Sequence, residues 1–172
     1  MNMGEVKNYQ NPRLNPKLSI NSDRTLYFHA LASTNEFRVE NSVLKNETFS
    51  TNPSASYHAY ELLGTRGFDS QSSVQVFDEI TDVIFYTRIN QNAVGCWNTR
   101  KPFSEVNQGM VAADNETLVF PNDLRIDNEG NLLVLSNRMP LFIYSELPKD
   151  DKNFRILVAK TSEIIKGTSC EN

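Results

Sequence analysis

Apolar residues along this chain recur in short runs whose spacing fits strands better than helices. Leu26–Leu31 is rich in aromatics, and after a polar link at Ala32–Asn35 the segment Glu36–Glu40 alternates Phe37 and Val39 with polar neighbours. The arrangement returns at Val83–Ile89, with the link Asn90–Asn92 and a second strand over Ala93–Trp97. It returns again at Leu132–Ser136, followed by the link Asn137–Pro140 and a second strand over Leu141–Tyr144. The first strands of the three pairs begin at residues 26, 83 and 132. Repeats of roughly 50 residues, each supplying a small antiparallel sheet, are the signature of a β-propeller. Ahead of the third pair, Leu124–Asp127 alternates as an inner strand should. Asn128–Asn131 then supplies a tight turn in which Gly130 takes positive φ at little cost. A β-sandwich also uses short strands and frequent turns, but the long regular period favours the propeller. Helix is predicted only at Ser162–Lys166, with Ser162 as N-cap and Gly167 as a stop.

The reading is therefore an all-β chain carrying about three blades over residues 25–172. Residues 1–24, rich in Asn, Pro, Lys and Ser without a periodic apolar face, read as an irregular leader. That leader lacks the basic start and apolar stretch of a signal peptide. Three blades do not close a ring, since complete propellers have typically about 4 to 8. An open arc leaves an unpaired edge and an apolar blade face in water. Either further blades of the same propeller complete it, or two copies complete each other.

Composition narrows the class of partner. The chain has 172 residues, 39% hydrophobic and 22% charged, with a net charge of -4, which argues against nucleic acid or an anionic membrane. Its longest apolar runs, such as Leu132–Leu135, are far too short to span a bilayer. Cys96 and Cys170 are too few for a disulfide scaffold and fit two free thiols, one bridge, or pairing with a cysteine outside this chain. Asn46-Glu47-Thr48 and Asn115-Glu116-Thr117 are acceptor sequons in polar, turn-like stretches, so Asn46 and Asn115 are candidate glycosylation sites. Nucleophilic and metal chemistry find little support. There is no G-x-S-x-G elbow, and neither His29 nor His58 has a second ligand at metal spacing. No cofactor is implied.

Several segments resemble one family in its own order. Asn90–Asn98 is similar to the "QNAVGCWN" segment of the yellow/major royal jelly proteins, and Asn115–Leu124 to "NDETLxFPxDL". Val134–Pro140 is similar to "VLSNRxP" and Asn153–Leu157 to "NFRI", while Leu26–Ser33 fits "LYFHxLAS". Five matches in series, over about residues 24–172, resemble the C-terminal part of that family. The resemblance implies a partial six-bladed propeller, in a secreted protein of roughly double this length whose N-terminal blades lie outside this sequence.

The resemblance also implies a ligand. Relatives in blood-feeding insects hold small aromatic amines in the channel with aromatic walls, a hydroxyl and an amide, and the matching positions here are Phe85, Thr87 and Phe103. Phe85 and Thr87 alternate onto one side of their strand. Asn122-Asp123, at the start of an inner strand, offers hard oxygen donors to a cation or a ligand ammonium. The same motif resembles lactonase-type propellers, where its Asn helps bind a divalent cation. The structural alternative is an Asx turn fixing entry into the blade. The aromatics equally suit packing between blades. Three functions follow: a binder of aromatic amines or dopachrome-type pigment precursors in the cuticle pigmentation pathway, a dopachrome-converting isomerase, or a structural or nutritive secreted protein. An isomerase needs a base and a proton donor facing the ligand. Asp123 is a candidate base, and no catalytic pair is evident.

Overall fold

A computed structural model describes residues 25–172, so the expected leader at 1–24 lies outside the described residues. The chain folds into three antiparallel sheets in sequence order. The first contains β1 (Thr25–Phe28), β2 (Asn35–Glu40) and β3 (Glu61–Thr65). The second is β4 (Gln75–Asp78), β5 (Val83–Arg88), β6 (Ala93–Asn98) and β7 (Gln108–Ala113). The third is β8 (Pro121–Ile126), β9 (Asn131–Ser136) and β10 (Arg155–Lys160).

Burial in the second sheet decides between sandwich and propeller. Every residue of β5 except Arg88, and every residue of β6, is buried, so this sheet is covered on both faces. Alternation sends Val83, Phe85, Val94 and Cys96 toward the third sheet. There they pack with Leu118, Leu124, Leu132 and Val134. Ile84, Tyr86 and Trp97 point the other way and meet Tyr27 and Leu63 of the first sheet. A sandwich has two layers; this is a series of three. The sheets also converge at one edge, because β8 lies against β4 and β5 while β10 makes no comparable approach to β7. Sheets that converge at their first strands and splay outward are blades of a propeller.

Local departures from the sequence reading have identifiable causes. Leu141–Tyr144, expected as a strand, is helical within α4 (Met139–Tyr144). Pro140 fixes the first turn, and the Asn137 side chain accepts from Met139 N–H at 3.1 Å. A short apolar run without alternation does not distinguish strand from helix. The partner of β9 is instead β10, with Leu157 opposite Val134. The β2–β3 connection carries three unforeseen short helices, α1 (Asn41–Lys45), α2 (Glu47–Thr51) and α3 (Pro53–Ser56). The Asn46 side chain accepts from Thr48 N–H at 3.0 Å, as an N-cap does. Helix α5 (Thr161–Ile164) begins one residue early, so Lys160 occupies the cap position expected for Ser162. Thr161 N–H donates to Gly130 O at 3.0 Å and fixes that start. Beyond α5, Ile165 and Cys170 return to the core of the second sheet, and Cys170 is disulfide-bonded to Cys96.

Candidate functional site

The inner strands β4 and β8 start at the same end of the stack. At this end Thr87, the last buried residue of β5, meets the Ser72-Ser73 loop that leads into β4. Thr87 Oγ1 accepts from Ser73 N–H at 2.9 Å and lies 2.9 Å from Ser73 Oγ and 3.3 Å from Ser72 Oγ. Ser73 Oγ donates across the seam to the Pro121 carbonyl at 3.2 Å. Ser72 Oγ donates to Val74 O, so the accounting leaves Thr87 O–H to donate to Ser73 Oγ. The result is a short hydroxyl relay, ending one residue before Asn122.

Asn122 is the residue at which the β8–β9 register shifts, since Pro121 lies opposite Ser136 and Asp123 opposite Leu135. A bulge re-aims the extra side chain away from the ladder. Asn122 Oδ1 is buried and accepts no hydrogen bond from the described residues. Asp123 is exposed, with Oδ1 accepting from Leu124 N–H at 2.9 Å. The backbone around this end is strained. Phe120 holds φ of 50° and Arg138 φ of 51°, left-handed values that a bulky side chain seldom adopts. Phe120 N–H is held at 3.1 Å by Asn92 Oδ1, and Asn92 Nδ2 donates to Asn115 Oδ1 at 3.1 Å. Arg138 pairs with Asp151, which holds the Asp151 carboxyl below its ordinary value.

The structure thus brings Thr87 and Asn122 to one end of one seam and places the aromatics elsewhere. Phe85 is fully enclosed in the core between the second and third sheets. Phe103 lies beside Trp97, with ring centroids 4.9 Å apart, and against Gly64. That is on the opposite face of the second sheet. The sequence reading passed over Ser72 and Ser73, although a Ser-Gln-Ser-Ser stretch leading into a strand was a legible source of hydroxyls.

A second polar cluster bridges the first two sheets at the same end. Glu36 Oε2 lies 2.5 Å from Arg66 Nη1 and 3.0 Å from His29 Nδ1. Arg66 and Arg88 each place their guanidinium carbon 5.8 Å from the centroid of the Tyr86 ring, whose hydroxyl donates to Gln108 Oε1 at 2.8 Å. Burial pushes the Tyr86 phenol up, and burial pulls the Arg66 guanidinium down against the pull of Glu36. Every donor atom of Arg66 has an acceptor, including Ser70 O and Ser33 O, so this cluster is a clamp between blades. His58 is exposed and packs on Tyr57 alone among the described aromatics. Among the described residues no three His, Cys, Asp or Glu side chains are grouped to hold a metal ion.

Comparison with known proteins accounts for this arrangement of sheets. A family model described as major royal jelly protein matches residues 14–170. The chain belongs to the major royal jelly protein family. Its relatives include L-dopachrome tautomerase yellow-f of Drosophila melanogaster, 45% identical over 150 residues. The dopaminechrome tautomerase of the same fly is 39% identical over 153 residues, and its protein yellow 41% identical over 148. Each alignment covers 86% of this chain but only 34%, 33% and 27% of the respective relative. The chain therefore spans about a third of the relatives it matches. No helix among the described residues is long and apolar enough to cross a membrane.

Proposed function

We propose that this member of the royal jelly family serves in insect pigmentation outside the cell, holding a small aromatic amine or catechol-derived pigment precursor at the end of the stack where β4 and β8 begin. One observation carries this reading. Asn122 Oδ1 is a buried acceptor with no partner among the described residues, aimed by a bulge and a left-handed Phe120. A ligand ammonium or indoline N–H is a donor of the required kind, and the Thr87–Ser73 pair holds the adjoining Pro121 carbonyl in place. An extracellular setting agrees with the Cys96–Cys170 bond and with the exposed sequons at Asn46 and Asn115. Calorimetric titration with dopamine tests the site. Asn122→Ala should weaken binding by about tenfold or more, the value of a hydrogen bond to a charged group. Phe103→Ala should leave binding unchanged, and equal losses in the two variants would refute the placement.

Turnover is the second reading, favoured by the two relatives whose names are tautomerases. Moving a proton from carbon to oxygen needs a base at the ligand, and exposed Asp123 adjoins Asn122. Dopachrome should then lose colour faster with the protein present, and Asp123→Asn should abolish that acceleration while dopamine still binds. Unchanged colour loss with the wild-type protein leaves the binder alone.

A further inference from the structure

A cleft of about 320 Å³ opens beside the Arg66–Glu36 clamp, lined by the turn at 66–68 that leaves β3, by Arg88 at the end of β5, and by Glu105 and Met110 before and on β7. Its walls come from two sheets that are consecutive in this chain. The volume is at the small end of ligand pockets, about 300–1,000 Å³. Two of its polar groups are already used. Arg66 is spent on Glu36 and three carbonyls, and the Gln108 amide accepts from Tyr86 O–H and donates to Thr65 O at 3.0 Å.

Two charges in the cleft are not used. Arg88 donates only to neutral oxygens, Gln91 Oε1 at 3.2 Å and Arg66 O at 3.1 Å, and its buried Nε–H has no acceptor among the described residues. Glu105 is exposed, and neither it nor Arg88 makes an ion pair among the described residues. The two charges flank one residue. Arg88 holds the carbonyl that precedes Gly67, while a Cβ on Gly67 would stand 3.3 Å from Glu105 Oε1. Gly67 also holds φ of 90°, which a residue without a side chain adopts at little cost. Alongside, Phe68 is 95% and Met110 44% exposed. A lone apolar side chain at the surface is ordinary. This ring, however, stands on a turn that is tied down. Ser70 Oγ donates to Gly67 O at 2.6 Å, Gln91 Nε2 to Phe68 O at 3.2 Å, and Asn90 Nδ2 to Asp69 Oδ1 at 2.8 Å.

We propose that this cleft binds a small zwitterion, an α-amino acid with an aromatic or long apolar side chain. Arg88 pairs with its carboxylate, Glu105 with its ammonium, and Phe68 and Met110 cover its side chain. The planar guanidinium suits a carboxylate. A simple anion would meet Glu105, and a simple amine would meet Arg88, so a ligand carrying both charges answers the lining. The site lies across the second sheet from Asn122 and does not rest on the ligand proposed there.

Calorimetric titration of the chain with three probes tests this: L-phenylalanine, phenethylamine, which lacks the carboxylate, and 3-phenylpropionate, which lacks the amine. L-phenylalanine should bind about tenfold or more tighter than either, the value of a hydrogen bond to a charged group. Glu105→Gln, at an exposed position, should weaken L-phenylalanine by a similar factor and strengthen 3-phenylpropionate, because the repelling carboxylate is gone. A merely structural loss would weaken both. Arg88→Gln should weaken L-phenylalanine and 3-phenylpropionate but not phenethylamine. Asn122→Ala should leave L-phenylalanine binding unchanged, which separates this site from the one at the start of β8. No heat at millimolar L-phenylalanine, equal affinity for the three probes, or loss of L-phenylalanine binding in Asn122→Ala would each overturn the proposal.

Discussion

Replacing Cys96 and Cys170 together by alanine isolates what the disulfide does. The two residues are 74 positions apart, so the bond closes a long loop in the unfolded chain. The chain-entropy model assigns about 4 kcal/mol to a loop of this length. Domains are stable by only about 5–15 kcal/mol, so this is a large share of the total. In the folded state the tail has other anchors. Asn98 Nδ2 donates to Cys170 O at 3.2 Å, and Lys101 Nζ donates to Ser169 O and Glu171 O at 2.7 Å each. The variant should therefore keep its folded tail and lose stability chiefly through the freed unfolded ensemble. Gly109 supplies an internal check. A Cβ there would stand 2.9 Å from Cys96 Sγ and 3.1 Å from Cys170 Sγ. Gly109→Ala should destabilise the disulfide-bonded protein by about 1–3 kcal/mol through overpacking. In the double-alanine background the same change should cost clearly less, the residual coming from Thr168 Cβ at 3.1 Å. Urea unfolding of all four proteins measures the cycle. A loss below about 1 kcal/mol in the double variant would refute the entropy argument, and equal Gly109→Ala effects in both backgrounds would refute the packing argument.

Three further outcomes follow from the same contacts. Gly95→Ala should destabilise strongly, because a Cβ there would lie 2.5 Å from Tyr86 Cε2 while the Tyr86 hydroxyl is tied to Gln108; an unchanged urea midpoint would show that the ring can move aside. Burial raises the Tyr86 phenol, so its contribution to stability is whole below the ordinary tyrosine pKa near 10 and is lost as pH climbs above it toward the raised value. Burial raises Tyr27 as well, so phenolate absorbance should show a late-titrating component accompanying unfolding that Tyr86→Phe reduces. Secreted from insect cells, the protein should shed two N-glycans on amidase treatment, one each lost with Thr48→Ala and Thr117→Ala; a wild-type mass that amidase leaves unchanged rules out both sites.

Much of this was legible in the sequence, and the failures have physical causes. The strands at 83–88, 93–98 and 131–136 are the central strands of their sheets, where hydrophobic runs are unambiguous. Leu141–Tyr144 was misread because an exposed aromatic helix and a half-buried strand share one composition, and only Pro140 and the bond from Met139 N–H to the Asn137 side chain separate them. Thr87 was singled out by the family resemblance and Asn122 by its motif, and the structure adds the hydroxyl relay from Thr87 through Ser73 to the Pro121 carbonyl. Phe85 and Phe103 show the limit of carrying an aromatic over by pattern. Alternation fixes which side of a strand a ring takes, but not whether that side is channel wall or inter-blade core. Here Phe85 is enclosed and Phe103 lies across the sheet. The Arg66–Glu36 clamp was invisible because its members are 30 residues apart and no local pattern couples them.

The polar end of the stack is stiff, and this bears on what it can do. Leaving a buried acceptor unpaired costs about 1–3 kcal/mol, and a strained left-handed residue costs a similar amount. A bulge that turned Asn122 toward solvent would remove the first penalty, and a Phe120 relaxed to negative φ would remove the second. The surrounding bonds prevent that relaxation: Asn92 holds Phe120 N–H, Ser73 holds the Pro121 carbonyl, and Thr87 holds Ser73. A fold that constrains an unsatisfied amide this tightly is prearranged for a donor from outside the chain. A ligand that pairs with Asn122 finds its partner already oriented, so little of its binding energy is spent on ordering the site. An Asx turn that only steers the chain into its blade would have its side-chain oxygen bonded to a neighbouring backbone N–H, as Asp127 is to Asn131 and Glu129, whereas Asn122 Oδ1 is not.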